Sequence, residues 1–318
     1  MLREVIIPES EEHWLRLRAE CLNSTDIAAL FNLSPYKTAF ELYWEKKSGE
    51  RTSIADNPRM VWGRRLEAVV AAGIMDDRNW CGRPMKEYIR LPGLRIGSSF
   101  DFRARPRPVT SGQDTPDDFI LEIKTVDFLA FRDGWTIDEG FIEAPPHIEL
   151  QVQHQMLVSG LRTAYIGVMV GGNRIEVIER LADDAVHAGI LARAAEFWQS
   201  IADGNAPDPV MPDDAEAVIR MNQFAEPGKL LDARGDAELA TLLQEYSELG
   251  KVARDAEEAR QVRKAEILQR IGTAEKVFAP NGKISAGITG PAEVAYTRAA
   301  FRNFRFTPAK QPAQEAAE

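Results

Sequence analysis

The chain has 318 residues, 44% of them hydrophobic and 28% charged, with 49 acidic side chains against 39 basic ones for a net charge of −10. These proportions exclude a wholly disordered, collagenous or membrane-embedded polymer, and the acidic balance excludes a protein that coats nucleic acid through bulk positive charge, though not a locally basic groove. Two cysteines, Cys21 and Cys81, cannot supply a disulfide framework or a four-thiolate metal centre, so both read as small core residues in a reducing compartment. The opening residues lack the apolar core of a signal peptide, and the longest apolar run, residues 165–170, is far too short to span a bilayer. Neither secretion nor a membrane partner is expected.

In chain order, Asn23, Ser24 or Thr25 can cap a helix through Ile27 to Phe31, and a second helical pattern follows Pro35 through Phe40, Leu42, Tyr43 and Trp44. A third runs from about Arg59 to Ala72. The period then changes to two. Residues 88–91, 94–98, 100–105 and 119–126 read as the strands of a β-meander, with Pro92-Gly93 as a turn and the Pro-, Ser-, Gly- and Asp-rich stretch 107–118 as a solvent loop. Pro145-Pro146 opens a helix that Gly160 closes, residues 165–170 and 174–179 flank the hairpin signal Gly171-Gly172-Asn173, and a helix follows over about 184–201.

Repeated Pro and Asp over 206–214 mark a domain boundary, giving a first domain over 1–204, a linker over 205–235 and a C-terminal helical accessory region over 236–318. Leu239, Leu242, Tyr246, Leu249, Ala253 and Ala256 recur at three- and four-residue steps, the pattern of one long amphipathic helix or a helical hairpin. Phe301, Phe304 and Phe306 interleave with Arg298, Arg302 and Arg305; simple packing is the favoured reading, with a base-stacking patch or a docking tail as alternatives.

The chemistry concentrates on residues 119–126. In a strand, Ile120, Glu122 and Lys124 share one face. On open water Glu122 and Lys124 would be an ordinary solvated pair, but the strand is apolar nearly throughout, and charges with little access to water must be paired or bound to metal. Asp101 sits among Phe100 and Phe102 at the end of the preceding strands, so two carboxylates can converge. Asp101, Glu122 and the backbone carbonyl of Ile123 are a suitable oxygen set for Mg²⁺, with Lys124 placed to orient the attacking water and offset phosphate charge. His147 and His154 are set aside as ligands, because an oxygen set suits Mg²⁺ without imidazole.

Asp101 followed by Glu122-Ile123-Lys124 resembles the PD-(D/E)XK nuclease motif, with Phe100 where the motif has proline. Together with Ser34-Pro35-Tyr36-Lys37, Trp62-Gly63-Arg64-Arg65-Leu66-Glu67 and Leu150-Gln151-Val152-Gln153-His154-Gln155-Met156, it resembles the YqaJ family of phage recombination exonucleases, relatives of lambda exonuclease, over about residues 12–200. The resemblance implies an α/β fold, a restriction-endonuclease-like core with a central mixed β-sheet flanked by helices. It implies Glu67 as a helix-borne carboxylate serving a second metal, against the plain reading of an exposed glutamate paired with Arg64 or Lys86. It further implies Gln151 as a polar group completing the catalytic set. Arg18, Thr25 and Ser99 match residues that hold a terminal 5′-phosphate, with Ser24 able to replace Thr25. Met60 matches a strand-separating wedge, although a core methionine is the plainer reading.

The implied function is a 5′-to-3′ exonuclease that digests linear double-stranded DNA and leaves 3′ single-stranded overhangs for a single-strand annealing protein. Two Mg²⁺ ions per site are implied, with Mn²⁺ as a substitute, in a phage or prophage protein of a bacterial cytoplasm. A homotrimeric ring would reconcile the acidic balance with DNA binding if Arg64, Arg65, Arg103 and Arg105 lined its channel. The rival readings are an end-independent endonuclease, a single-strand exonuclease with the same metal site, and a non-catalytic DNA-binding scaffold.

Overall fold

The computed structural model describes residues 2–49, 57–108, 117–138, 140–293, 302–304 and 306. It divides into two compact units, residues 1–218 and 219–318. In the first unit the elements are β1 (Glu4–Ile6), α1 (Glu11–Glu20), β2 (Leu22–Asn23), α2 (Ile27–Leu30), α3 (Ala39–Ser48), α4 (Pro58–Asp77), β3 (Trp80–Pro84), β4 (Tyr88–Leu91), β5 (Ile96–Ser98), β6 (Phe102–Pro106) and β7 (Phe119–Val126). They continue with α5 (Phe128–Gly134), β8 (Thr136–Asp138), β9 (Phe141–Glu143), α6 (Pro146–Ser159), β10 (Thr163–Val170), β11 (Arg174–Leu181), α7 (Asp184–Asp203) and α8 (Ala215–Met221), the last of which crosses the boundary between units.

The helix starts follow their capping residues. Ser10, Thr38, Asn57, Asp127 and Asp183 each accept a hydrogen bond from a backbone N–H of the first turn of α1, α3, α4, α5 and α7. Helix α6 begins at Pro146 and ends at Gly160, whose φ of 83° is the left-handed conformation that glycine adopts without strain. Helix α2 departs from expectation. Asp26, not Asn23, Ser24 or Thr25, stands at its N-cap, and it makes no side-chain capping bond, because its carboxylate is turned to Asn23 and Lys46.

The central sheet has the order β11-β10-β7-β6-β3, with β10 parallel to β7 and the other pairs antiparallel, so it is mixed. One face, bearing Ile120 with Ala164, Ile166 and Val168, packs on Ile148, Val152 and Met156 of α6. The other, bearing Leu121 and Ile123 with Phe102, packs on Val70, Ala71 and Ile74 of α4. A mixed sheet between helices is the expected α/β architecture.

The β-meander expectation is corrected. Strands β4 and β5 belong to a second sheet of order β1-β4-β5-β2, whereas β6 and β7 belong to the central one. Ser99, Phe100 and Asp101 carry the chain from one sheet to the other, and β1, β2 and β3 were not read from the sequence. The break is physical: Gly97 must pass under Tyr88, whose hydroxyl would lie 2.3 Å from a Cβ there, while Phe100 turns into the core. The stretch expected as linker also changes character. Asp214 is fully buried, accepts from Thr38 Oγ1 at 2.6 Å, and accepts from the Val210 N–H at 2.6 Å, so residues 210–218 pack with the first unit.

The second unit is built on α9 (Ala237–Ile271), a single 35-residue helix with none of its residues buried, followed by the hairpin β12 (Lys276–Ala279) and β13 (Gly282–Ser285), which the sequence reading missed. Phe304 meets the Tyr246 ring edge-on at 5.2 Å. Arg298, Phe301 and Arg305 lie outside the described residues. Among the described residues no helix is long and apolar enough to cross a membrane.

Candidate active site

Strand β7 delivers Glu122 and Lys124 to the α6 face, and α6 presents glutamines one turn apart to meet them. The Glu122 side chain is 3% exposed, which removes the solvated-pair reading. Its Oε1 accepts from Lys124 Nζ at 2.6 Å and from Gln151 Nε2, and its Oε2 accepts from Gln155 Nε2 at 2.7 Å. Lys124 Nζ also donates to Gln151 Oε1 at 3.2 Å. A buried carboxylate with this many donors has the satisfaction that burial demands.

Asp101 joins from the crossover between sheets. Its Oδ2 accepts from the Ile123 N–H at 2.8 Å, and its own carbonyl accepts from the Met85 N–H at 2.9 Å, which extends the pairing of β6 with the β3 side by one residue. Burial, then the charge on Glu122, and further the charge on Glu67, raise the Asp101 carboxyl well above the usual carboxylate range, against the pull of Lys124. Glu67, half-buried on α4, is raised by burial and by Glu122. Burial would lower Lys124, but Glu122 and Asp101 outweigh it and hold the amine protonated. Three carboxylates thus feel one another around one ammonium. Like charge crowded in this way is characteristic of functional sites.

Asp101, Glu122, Lys124 and Gln151, all singled out from sequence, therefore meet, and Glu67 lies within electrostatic reach; Ile123, expected to offer its carbonyl, meets Asp101 through its N–H. Among the described residues, however, no three His, Cys, Asp or Glu side chains stand close enough together to hold a metal ion as they are. The residue sequence reasoning missed is Gln155. The signal was present: Gln151 and Gln155 are four apart on one helix and so share a face. His154, between them, points elsewhere: it is fully buried, its Nε2 donates to the Gly97 carbonyl at 3.0 Å, and burial lowers its pKa to about 4.

The residues expected to hold a phosphate divide. Arg18 and Thr25 are hydrogen-bonded at 3.2 Å and line a cavity of about 560 Å³. Lys37, Lys46 and Arg59 line it too, against the carboxylates of Asp26 and Glu45, so its wall is net positive. Asp26 is fully buried and ionised: burial opposes its charge, but Lys46 at 2.9 Å and Lys37 at 3.7 Å depress the carboxyl far below its usual range. Ser24 is buried and is not on this wall. Ser99 does not line it either; its Oγ accepts from Trp14 Nε1 at 2.8 Å, and the Arg18 guanidinium lies over the Trp14 ring at 4.8 Å. Met60 is 38% exposed on the cavity wall, so it is not a core methionine.

Residues 13–162 match the model of the YqaJ-like viral recombinase domain, which bears out the resemblance read from the sequence and places it in the first unit. The uncharacterized protein YqaJ of Bacillus subtilis (strain 168) is 29% identical over 210 residues, 64% of this chain and 61% of that protein, so the match spans less than two thirds of the relative's length. Among solved structures, the chain is similar to the alkaline exonuclease LHK-Exo from Laribacter hongkongensis at 16% identity with a TM-score of 0.47, covering 61% of this chain and 94% of that one. A phage related exonuclease from Haemophilus somnus 129PT has a TM-score of 0.39 at 10% identity, covering 58% of this chain and 96% of that one.

Proposed function

We propose that this chain, whose residues 13–162 carry a YqaJ-like viral recombinase domain, is a Mg²⁺-dependent exonuclease that degrades one strand of linear duplex DNA from its 5′ end. The observation that carries the reading is the convergence of Asp101, Glu122, Lys124 and Gln151 on the middle strand of the central sheet, where Glu122 has little access to water. The donor set fits a hard divalent cation: burial first, and then the charge on Glu122, raise both Asp101 and Glu67, and a cation among these oxygens would offset both. Asp101, Glu122 and the Ile123 carbonyl would hold that ion, with Glu67 serving a second, and Mn²⁺ would substitute. A bound cation supplies Lewis-acid chemistry, neutralising phosphate charge and making water more acidic. Loading would require Lys124 to give up Glu122 Oε1. The freed ammonium would then face the phosphate and stabilise charge as it develops there, with Gln151 orienting Lys124.

The net-positive cavity around Arg18 and Thr25 supports recognition of a 5′-phosphate, since an arginine fork with a hydroxyl donor matches phosphate geometry. Met60, exposed on the same wall, suits a wedge between the terminal bases. Assembly as a ring-shaped homotrimer and delivery of the 3′ overhang to a single-strand annealing protein, in the bacterial cytoplasm of a phage or prophage host, complete the proposal. The test is incubation with linear duplex carrying 5′-phosphate or 5′-hydroxyl ends, and with closed circular duplex, in Mg²⁺ or chelator. Mg²⁺-dependent loss of the phosphorylated linear substrate alone is expected. Cleavage of the closed circle would establish an endonuclease instead, and no hydrolysis of any substrate in Mg²⁺ would leave a binding protein.

A further inference from the structure

Cross-strand register places a row of arginines beside the catalytic carboxylates. Arg103 on β6 is opposite Ile120 on β7 and opposite Arg83 on β3, and Arg105 is opposite Cys81. Directly opposed residues share a face, so Arg83, Arg103 and Arg105 lie on the face that bears Glu122 and Lys124. The intervening residues Trp80, Phe102 and Ala104 are buried on the far side with α4. At about 3.4 Å per residue, Arg103 and Arg83 stand roughly 7 Å along the strands from the row of Asp101 and Glu122, and Arg105 roughly 14 Å.

Among the described residues, this half of the face is open. Among the described residues, the apolar cluster beneath α6 includes Ile120 but nothing from β3 or β6. The three arginine side chains are instead exposed and border a cavity of about 430 Å³ with Cys81 and Asp118. Arg83 is paired with Glu87 and Arg103 with Asp118; the guanidinium side chains are about half exposed while the carboxylates are largely covered, so each arginine keeps an outer edge of N–H donors open to a phosphate. Arg105 has no ion-pair partner among the described residues. Three arginines in line on one sheet face, in a chain of net charge −10, suit an anionic occupant with regularly repeated charges.

We propose that Arg83, Arg103 and Arg105 form a phosphate track that holds the DNA strand as it continues away from the catalytic carboxylates. The inference rests on the nuclease reading for its substrate, but its evidence is the register and exposure of β3 and β6. With one phosphate per roughly 3.4 Å of duplex axis on each strand, Arg105 reaches about the fourth phosphate from the scissile one. The track therefore serves substrates longer than a few nucleotides, and shorter ones do not engage it.

Cys81 supplies a reporter on this surface, because it is partly exposed beside Arg105 while Cys21 is buried. In chelator, where DNA is bound but not cut, a 20-nucleotide duplex should slow alkylation of Cys81 severalfold, and a dinucleotide should not. Equal alkylation with and without duplex overturns the proposal. Separately, the triple variant Arg83→Gln, Arg103→Gln, Arg105→Gln should bind duplex more weakly, with a salt dependence shallower by about three counterions. Unchanged affinity and salt slope in the triple variant overturn the proposal. Protection of Cys81 in a protein that fails to hydrolyse DNA in Mg²⁺ would sink the exonuclease reading and leave the track standing. Hydrolysis without protection would do the reverse.

Discussion

Gln155 Nε2 donates to Glu122 Oε2 at 2.7 Å and to the Ser99 carbonyl at 3.3 Å, so one amide ties the buried Glu122 carboxylate to the segment that delivers Asp101. Gln155 is itself 1% exposed, and no other donor to Oε2 stands among the described residues. Replacing Gln155 with Leu leaves that oxygen buried without its partner, at a cost of about 1–3 kcal/mol. Chemical denaturation should show a lower midpoint with unchanged slope, and hydrolysis should fall together with it. Wild-type stability in Gln155→Leu would mean that the amide does not hold Glu122.

Lys124→Ala removes the ammonium bonded to Glu122. Loss of one preformed charge-stabilising donor lowers kcat by about 10²- to 10³-fold. Single-turnover cleavage of linear duplex measures this directly, and undiminished hydrolysis by a folded Lys124→Ala protein would remove lysine from the mechanism.

Asp101 has a folded-state pKa above its unfolded value. Its ionisation therefore opposes folding, and that loss of stability sets in as pH rises from the unfolded pKa toward the folded one. Asp101→Asn should raise the melting temperature of the metal-free protein at neutral pH while abolishing hydrolysis. The same shift makes protons compete with a divalent cation, so calorimetric Mn²⁺ affinity of the wild type should strengthen as pH rises through the raised folded pKa, and that of Asp101→Asn should not.

His154 behaves with the opposite sign. Its folded pKa of about 4 lies below the ordinary value of 6.5, so the unfolded chain binds the extra proton in that window. Stability is fully present above pH 6.5 and falls as pH drops toward 4, by roughly 3 kcal/mol at most. Urea denaturation across pH 4–7 should show this slope in the wild type and a flatter one in His154→Gln.

The cavity around Arg18 predicts end discrimination. Arg18→Ala should reduce cleavage of 5′-phosphorylated ends while leaving 5′-hydroxyl ends nearly unchanged, because only the former use the guanidinium. Equal losses on both ends would assign Arg18 to packing with Trp14 instead.

Strand β7 was legible because its pattern is local. Eight consecutive residues alternate across one sheet, so the shared face of Glu122 and Lys124 follows from period two alone. The helix bearing Gln151 was bounded by Pro146 and Gly160, two residues whose backbone restrictions are visible in any sequence. The split of the strands 88–106 between two sheets was not legible. It depends on Gly97 fitting beneath Tyr88 and on Phe100 turning inward, contacts between segments that alternation along one strand does not encode. The burial of Asp214 against Thr38 escaped for the same reason: proline and aspartate read as linker until a partner 176 residues away is in place.

The amino-acid order by itself determined which side chains share a face, where helices begin and end, and that a carboxylate and an amine lie together on an apolar strand, since these follow from backbone periodicity and local capping. Only the tertiary structure decided that Gln155 completes the shell around Glu122, that Ser99 answers to Trp14 rather than to the cavity, and that Arg83, Arg103 and Arg105 line up beside the carboxylates. Those relationships join residues far apart in the chain. They are fixed by strand register and by packing, which close only when the separate elements meet.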